Sequence, residues 1–270
     1  MTSTVQSPDI LAAIVGATKR IVRVRAAHVP LAEIDRRAAM VEPRPHAFKR
    51  AIERTGGLNV IAECKRRSPS RGVLQANYDP AAIAHGYEHA GAAAVSVLTE
   101  PTFFDGSLDD LAAVRRVTSL PVLRKDFIVD PYQIFEARAA GADAILLIVA
   151  ALLPSELKRL HQAATDAGLG VLVEVHNLSE VHVALDAGAA IVGVNNRNLR
   201  TLDVDTEVSH RAIELLSDGV LAVAESGLKT GDNLRVLSAA GYDAFLIGER
   251  FMATSNPGQA LADLLRGAAE

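Results

Sequence analysis

The sequence predicts an α/β fold, a (β/α)8 TIM barrel with an N-terminal helical extension. Three observations support this prediction: eight short apolar segments follow residue 57, helical segments lie between them, and a glycine-alanine pattern recurs. Residues 1–270 are therefore expected to form a single (β/α)8-barrel domain, in which residues 1–57 are the helical extension.

The eight apolar segments are predicted to be parallel strands. They are almost continuously apolar rather than alternating, as expected of strands that are covered by helices on both faces. Helical periodicity lies between them, for example over residues 154–167 and 179–187. The predicted strands are residues 58–64, 93–98, 121–124, 144–149, 170–175, 190–194, 220–224 and 244–247.

A weak internal repeat supports the barrel. Glycine closes a helix and opens a strand at Gly91, Gly141, Gly188 and Gly241, at intervals of about two βα units. Eight βα units over roughly 210 residues fit a (β/α)8 barrel. A doubly wound sheet is the alternative, but it commonly carries a glycine-rich fingerprint after its first strand, which this sequence lacks.

The extension is predicted to be helical. A helix start at Ser7-Pro8-Asp9 precedes an apolar stretch, and a second short helix is predicted over residues 46–54. We expect the extension to pack against the barrel and to cover the mouth of the site. Its cluster of basic residues is interpreted as a solvated helix face rather than an anion site: Lys19, Arg20, Arg23 and Arg25.

Composition excludes several classes of partner. The net charge of -4 gives no basic footprint for nucleic acid, and no apolar run approaches the roughly 20 residues that span a membrane. The single cysteine, Cys64, excludes an internal disulfide and, without a signal-peptide pattern, predicts a cytoplasmic protein.

The histidines show no paired ligand spacing, so no metal site is predicted, and His176 is interpreted as a loop residue. The expected partner is a small molecule, and the chain is expected to be a monomer or a weak homo-oligomer.

The candidate site is the set of residues that end the strands, because a barrel of this kind carries its chemistry at that face. Each residue alone has a structural alternative, such as a surface lysine, a salt-bridged carboxylate or a loop-capping asparagine. Their occurrence at one end of the predicted barrel favours a shared pocket. Cys64, in contrast, is expected to face the helices. The strand-end residues are Glu63, Lys65, Lys125, Glu174, Asn195, Arg197 and Glu225.

A phosphate site is predicted on the loops after strands 7 and 8, where barrels frequently bind phosphate through backbone N–H groups. Ser226, Gly227 and Gly248 occupy these places, and glycine lets the backbone approach an anion closely. Glu249 is expected to turn its side chain away and to offer only its N–H. Further donors are predicted from Lys65, Ser68 and Arg197.

Six strand-end motifs together resemble the indole-3-glycerol phosphate synthase family, from about residue 5 to the C-terminus. Any one motif is weakly specific, but the six occur in order and each stands at a strand end. They are Glu63-x-Lys65-x-x-Ser68-Pro69-Ser70, Ser96-Val97-Leu98-Thr99-Glu100, Leu123-Arg124-Lys125-Asp126-Phe127, Val173-Glu174-Val175-His176, Val194-Asn195-Asn196-Arg197-Asn198-Leu199 and Ala224-Glu225-Ser226-Gly227.

The resemblance implies a decarboxylating, ring-closing lyase of tryptophan biosynthesis that needs no cofactor. Its substrate would be 1-(2-carboxyphenylamino)-1-deoxyribulose 5-phosphate, and its products indole-3-glycerol phosphate, CO2 and water. Lys125 would be the general acid and Glu174 a second acid/base, while the division of protonations between Lys125 and Lys65 stays open. Residues that would orient the anilino and carboxylate groups are Glu63, Lys65 and Asn195.

The remaining positions implied by the resemblance form two groups. The phosphate group would be bound by Ser68, Arg197, Gly227 and Gly248, with Glu225, Ser226 and Glu249 close by. The aromatic ring would be lined by Phe104, Phe127, Leu146 and Ile148.

Two alternatives remain at this point. One is another phosphate-binding barrel enzyme such as phosphoribosylanthranilate isomerase, against which the paired Glu63 and Lys65 and the long extension argue. The other is a non-catalytic barrel that binds a sugar phosphate. Acidic and basic groups at five or more strand ends argue against a purely binding role.

Overall fold

The computed structural model describes residues 9–268 and confirms the (β/α)8 barrel. Eight parallel strands follow one another around the barrel in chain order, and the first pairs with the last. Every strand begins and ends within one residue of its prediction. The strands are β1 (Asn59–Cys64), β2 (Ala94–Leu98), β3 (Val122–Lys125), β4 (Ala144–Ile148), β5 (Gly170–Val175), β6 (Ile191–Asn195), β7 (Leu221–Glu225) and β8 (Ala244–Ile247).

Twelve helices are found among residues 9–268. Two-residue strands at Arg67–Ser68 and Gly72–Val73 form a small hairpin in the loop after β1, and 3-10 turns occupy Val149–Ala151 and Ile213–Leu215. The helices are α1 (Ile10–His28), α2 (Leu31–Ala39), α3 (Ala47–Ile52), α4 (Pro80–His89), α5 (Leu108–Val117), α6 (Pro131–Ala139), α7 (Pro154–Asp166), α8 (Leu178–Asp186), α9 (Glu207–Ala212), α10 (Gly231–Ala239), α11 (Glu249–Met252) and α12 (Pro257–Gly267).

The extension forms α1, α2 and α3. Asp9 caps α1, its carboxylate accepting a hydrogen bond from the Ala12 N–H at 3.1 Å, whereas the rest of the predicted start, Ser7 and Pro8, lies outside the described residues. Helix α2 has no counterpart in the sequence prediction. Three of the four Lys and Arg residues of α1 are exposed, as expected of a solvated face, while Arg25 lies 3.5 Å from Glu136 of α6. Among the described residues, no helix combines the length and the hydrophobicity that a membrane crossing requires.

Both faces of the strands are buried, which explains why their sequences are almost continuously apolar. Along β1, Val60 and Cys64 belong to the layer between strands and helices, whereas Ile61 belongs to the barrel interior. Cys64 is fully buried in the same layer as Tyr87 of α4, so its predicted orientation towards the helices is confirmed.

The extension packs against both ends of the barrel. Helix α3 supplies Phe48 and Ile52, both fully buried, to the interior cluster, and Phe48 lies beside Gly170 at the start of β5. Helix α1 supplies Ile10 and Ile14 to the wall of the cavity at the opposite end. Helix α1 therefore contributes to the wall of the cavity and α3 packs at the amino-terminal end of the barrel, while the expectation that the extension covers the mouth of the site stays a prediction.

We expect Phe48→Ala to lower the free energy of unfolding by about 3–5 kcal/mol, the usual cost of a cavity left by a buried phenylalanine. Val236→Ala, at a position on α10 that is 57% exposed, is the matched control and should change it by less than about 0.5 kcal/mol. Urea unfolding followed by circular dichroism measures both. Equal losses in the two variants would contradict the assignment of Phe48 to the barrel core.

Candidate active site

A cavity of about 860 Å³ opens at the carboxyl ends of the strands. All of the site residues predicted from the sequence lie on its wall, including those from β1, β3, β5, β6, β7 and β8. The predicted convergence of the strand ends is therefore observed, while the chemical role of each residue remains a proposal. These residues are Glu63, Lys65, Ser68, Phe104, Lys125, Phe127, Leu146, Ile148, Glu174, Asn195, Arg197, Glu225, Ser226, Gly227, Gly248 and Glu249.

The charged centre of the cavity is Lys125 at the end of β3. Its Nζ donates a hydrogen bond to Glu174 Oε2 at 2.7 Å and lies 3.4 Å from Glu225 Oε2. The side chains of both glutamates are only 1% exposed. Because an unpaired buried carboxylate is costly, these contacts explain how acidic residues can occur at the ends of the apolar strands β5 and β7.

The protonation states of these three groups depend on one another. Burial alone would lower the pKa of Lys125, but the carboxylates of Glu174, Glu225 and Glu63 outweigh burial and hold it above its usual value. Burial alone would raise the pKa of Glu174, but Lys125 and His176 outweigh it and hold that pKa below its usual value.

Glu225 behaves differently from Glu174. Burial and the neighbouring Glu174 carboxylate raise the pKa of Glu225 despite the opposing effect of Lys125. Neither carboxylate oxygen of Glu225 has a hydrogen-bond partner within the described part of the chain. Two neighbouring carboxyl groups whose pKa values are driven apart suit a site that needs both a base and an acid.

A second pair stands at the end of β1, where the Lys65 ammonium donates to the Glu63 carboxylate. Asn195 at the end of β6 faces the cavity, and its Oδ1 also accepts the backbone N–H of Arg197 at 3.0 Å. Asn195 therefore caps the loop, as the structural alternative expected, and also lines the cavity.

Two glycines make room for carboxylates of the site because they have no side chain. A β-carbon at Gly193 of β6 would overlap the Glu225 carboxylate, and one at Gly248 after β8 would overlap the Glu63 carboxylate. Gly193 was not predicted to belong to the site, because a glycine inside a strand carries no chemical signal of its own.

The wall formed by β2, β3 and β4 is apolar. The rings of Phe104 and Phe127 lie 6.1 Å apart between centroids, near Leu146 and Ile148 of β4. Ile10 and Ile14 of α1 line the same cavity and were missed by the sequence analysis.

Glu100, at the end of β2, orders the loop that carries Phe104. Its carboxylate accepts the backbone N–H groups of Thr102, Phe103 and Phe104 at 2.9, 2.7 and 3.1 Å. Glu100 therefore positions part of the apolar wall, and both of its carboxylate oxygens accept hydrogen bonds from the loop.

The opposite wall carries the predicted phosphate site. Ser226 and Gly227 both have positive φ, 64° and 77°, and a non-glycine residue in this conformation is typical of ligand-binding loops. The short helix α11 begins directly after Gly248.

The expected orientation of Glu249 is wrong. Its carboxylate does not turn away but accepts from Arg197 Nη2 at 3.1 Å and from Arg71 Nε at 3.0 Å. Two guanidinium groups that face one pocket attract the nearest carboxylate, because charge-assisted hydrogen bonds are the strongest that these groups can form. Arg71 lines the cavity and was not predicted.

His176 follows β5 directly and has more contacts than its interpretation as a loop residue implies. Its side chain is 8% exposed, and its Nε2 lies 3.1 Å from Glu174 Oε1. No group of three or more His, Cys, Asp or Glu residues within residues 9–268 is arranged to hold a metal ion.

Arg124 anchors β3 from the side that faces the helices. It is fully buried, and its guanidinium donates to Asp126 at 2.9 Å, to the Thr99 hydroxyl at 3.1 Å and to the backbone carbonyl of Gln133 at 2.7 Å. Alternation along the strand then directs the next residue, Lys125, into the cavity.

The fold and this cavity define a (β/α)8-barrel protein with acid and base groups clustered at the carboxyl ends of its strands, the arrangement of a barrel enzyme. A sequence model of the family described as indole-3-glycerol phosphate synthase matches residues 11–264. The chain belongs to the indole-3-glycerol phosphate synthase family.

Individual relatives agree with this membership. The chain is 51% identical over 242 residues to a protein of Parafrankia sp. (strain EAN1pec), covering 90% of each chain, and 48% identical over 259 residues to one of Mycolicibacterium gilvum (strain PYR-GCK), covering 96% of this chain and 94% of that one. Both relatives are named indole-3-glycerol phosphate synthase.

Solved structures of other proteins share the fold at low sequence identity. Thiamine phosphate pyrophosphorylase from Pyrococcus furiosus aligns with a TM-score of 0.59 at 17% identity, covering 78% of this chain and 96% of that one. N-acetylmannosamine-6-phosphate 2-epimerase from Clostridium perfringens aligns with a TM-score of 0.57 at 16% identity, covering 74% and 89%. These similarities concern the barrel alone.

We expect Gly193→Ala to displace the Glu225 carboxylate and to lower the free energy of unfolding by about 1–3 kcal/mol, the usual cost of an overpacked interior. Gly16→Ala is the control, because nothing lies within 4 Å of a β-carbon at that exposed position of α1. It should stabilise the protein by roughly 0.5–1 kcal/mol through helix propensity. Urea unfolding compares the two, and a Gly193→Ala protein as stable as the parent would contradict the close contact.

Proposed function

We propose that the protein converts 1-(2-carboxyphenylamino)-1-deoxyribulose 5-phosphate to indole-3-glycerol phosphate, CO2 and water, as a decarboxylating carboxy-lyase of tryptophan biosynthesis. Membership of the family supports this proposal. The observation that carries it is the Lys125 ammonium, held between Glu174 and Glu225 and facing the cavity.

The two walls of the cavity match the two ends of this substrate. Apolar and aromatic side chains come from the β2, β3 and β4 side, which suits the carboxyphenyl ring. Cationic and backbone N–H donors come from the loops after β1, β6, β7 and β8, which suits the phosphate. Lys125 of β3 and Glu174 of β5 stand between them, where the ketone would lie.

In the proposed ring closure, the aromatic carbon that bears the carboxylate attacks the ketone carbon. A carbon–carbon bond forms, and the carbonyl electron pair moves onto oxygen, which takes a proton from the Lys125 ammonium. A fixed ammonium stabilises such developing charge, and the raised pKa of Lys125 supports its charged form. CO2 then leaves, and the electron pair of the broken bond returns to the ring and restores its aromaticity.

Dehydration completes the indole. The hydroxyl that was the ketone oxygen leaves as water after it receives a proton, and a base removes the proton from the neighbouring carbon. Glu174 is assigned this second acid/base role, because it is ionised beside Lys125 and faces the cavity. Lys65, paired with Glu63, and Asn195 are assigned to orient the anilino and carboxylate groups.

The phosphate is assigned to Arg197 and to the backbone N–H groups after β7 and β8. A phosphate in this position would take the place of the Glu249 carboxylate as the partner of Arg197, while the Glu249 N–H remains available as a donor. The remaining donors assigned to this group are Lys65, Ser68, Ser226, Gly227 and Gly248.

We expect Lys125→Ala to reduce kcat by about 100-fold or more while the circular dichroism spectrum stays that of the parent, because the general acid is removed. Lys158→Ala, at an exposed position of α7, is the matched control and should retain full activity. The chain contains no tryptophan, so the fluorescence of the indole product can be followed against a low protein background. Turnover by Lys125→Ala within tenfold of the parent would contradict this assignment.

We expect Arg197→Ala to raise KM by roughly 10- to 100-fold with kcat within about threefold, because a hydrogen bond to a charged group contributes about 1.5–3 kcal/mol and each 1.4 kcal/mol is tenfold. Arg159→Ala on the exposed face of α7 is the control and should leave both constants unchanged. A fall in kcat at constant KM would instead place Arg197 at the reacting atoms.

A further inference from the structure

The two carboxylate oxygens of Glu174 face two different cations. Oε2 accepts from Lys125 Nζ at 2.7 Å, and Oε1 lies 3.1 Å from His176 Nε2. The assigned reaction uses Glu174 and Lys125 but gives His176 no role, although the His176 side chain is more buried than that of Lys125.

Glu180 in the first turn of α8 fixes the imidazole from the other side. Its Oε2 accepts the backbone N–H of His176 at 2.8 Å and lies 3.3 Å from His176 Nδ1. Its Oε1 accepts from Asn177 Nδ2 at 2.6 Å, and Asn177 is the residue that caps α8. The carboxylate that holds His176 is therefore itself held by the start of the helix.

Both ring nitrogens of His176 face carboxylate oxygens, which only accept hydrogen bonds, so the doubly protonated imidazolium is the form that matches both neighbours. The charged groups that face the ring are Glu174 and Glu180, and Lys125 stands beyond Glu174. The Val149–Ala151 turn, which packs against β5 and α8, contributes only apolar residues.

The contact between Nε2 and Oε1 is an ion pair whose N–H is not aligned as a hydrogen bond in this geometry. Burial alone would lower the pKa of His176, but the two carboxylates outweigh burial and raise it to about 9. A pKa raised on folding means that the cation is present at neutral pH and is lost as the pH rises through about 9.

We propose that His176 is a positioning residue for Glu174: its imidazolium, fixed by Glu180, holds one oxygen of the carboxylate while Lys125 holds the other. The orientation of the acid/base group is then set from two sides before substrate binds. This inference rests on the proposed function, because the role of Glu174 is taken from it.

The first test compares kcat, KM and the pH profile of kcat for the parent, His176→Leu and His176→Gln. His176→Leu removes the cation and should lower kcat roughly 10- to 100-fold, because part of the general acid–base catalysis by Glu174 is lost. KM should stay within about threefold of the parent value. Without this cation the pKa of Glu174 rises, so the acid limb of the profile should move upward by about one pH unit. His176→Gln keeps a neutral N–H donor and should recover part of kcat.

His182→Leu is the matched control, because His182 lies on α8 and is exposed. It should leave kcat and the pH profile unchanged. If His176 acts through Glu174, His176→Leu should cause little further loss of kcat in a Glu174→Gln background. The effects of two substitutions are not additive when the residues act as a unit. A full additional loss in that background would overturn the proposal.

The second test needs no substrate. The imidazole signals of His176, assigned by their loss in His176→Gln, should titrate in an NMR pH series near pH 9 in the parent and at lower pH in Glu180→Gln. Titration of the parent near the ordinary value of about 6.5 would overturn the proposal.

The outcomes separate this inference from the function on which it rests. An active parent whose His176→Leu variant keeps its kcat and its acid limb overturns the positioning role alone. A parent that does not turn over the carboxyphenylamino substrate overturns the proposed function and this role with it.

Discussion

The ion pair between Lys125 and Glu174 is the interaction on which the site depends. Each charge is buried at the carboxyl end of a strand, where an ion loses several kcal/mol of hydration and is stable only if it is paired. The two residues are 49 positions apart in the sequence and stand on β3 and β5. The closed barrel therefore brings together partners that could not meet within one segment of the chain.

The ion pair between Lys125 and Glu174 also affects the protonation state of Glu225. With Glu174 held as a carboxylate, a second negative charge on Glu225 is opposed both by burial and by its neighbour. Lys125 also lies 3.4 Å from Glu225. One ammonium is therefore shared by two carboxyl groups whose pKa values are shifted in opposite directions. The glycine at position 193 supplies the room for this arrangement, because any side chain there would meet the Glu225 carboxylate.

The strands and the composition of the site could be predicted because their signals are local. Continuous apolar segments predict buried parallel strands, and the position of a residue at a strand end predicts its place in space. The side-chain period of two explains why Arg124 is buried on the helix side while Lys125 enters the cavity.

The contacts that were missed depend on segments far apart in the chain. Arg71 and Glu249 are separated by 178 positions, and no pattern around either residue indicates that they meet. Ile10 and Ile14 line the cavity only because α1 packs against the barrel, where it contacts α6 and the Val149–Ala151 turn. The expected direction of Glu249 is wrong for the same reason: its orientation is set by two arginines from other loops.

The release of CO2 is the measurement that tests the proposed chemistry most directly. Substrate labelled with 14C in its carboxylate should yield one labelled CO2 for each indole-3-glycerol phosphate formed, measured by trapping the gas and by product fluorescence in the same reaction. This one-to-one ratio is expected because loss of the carboxylate is what restores the aromatic ring after closure. Absence of labelled CO2, or indole product formed without it, would contradict the assignment of this cavity to a decarboxylating ring closure.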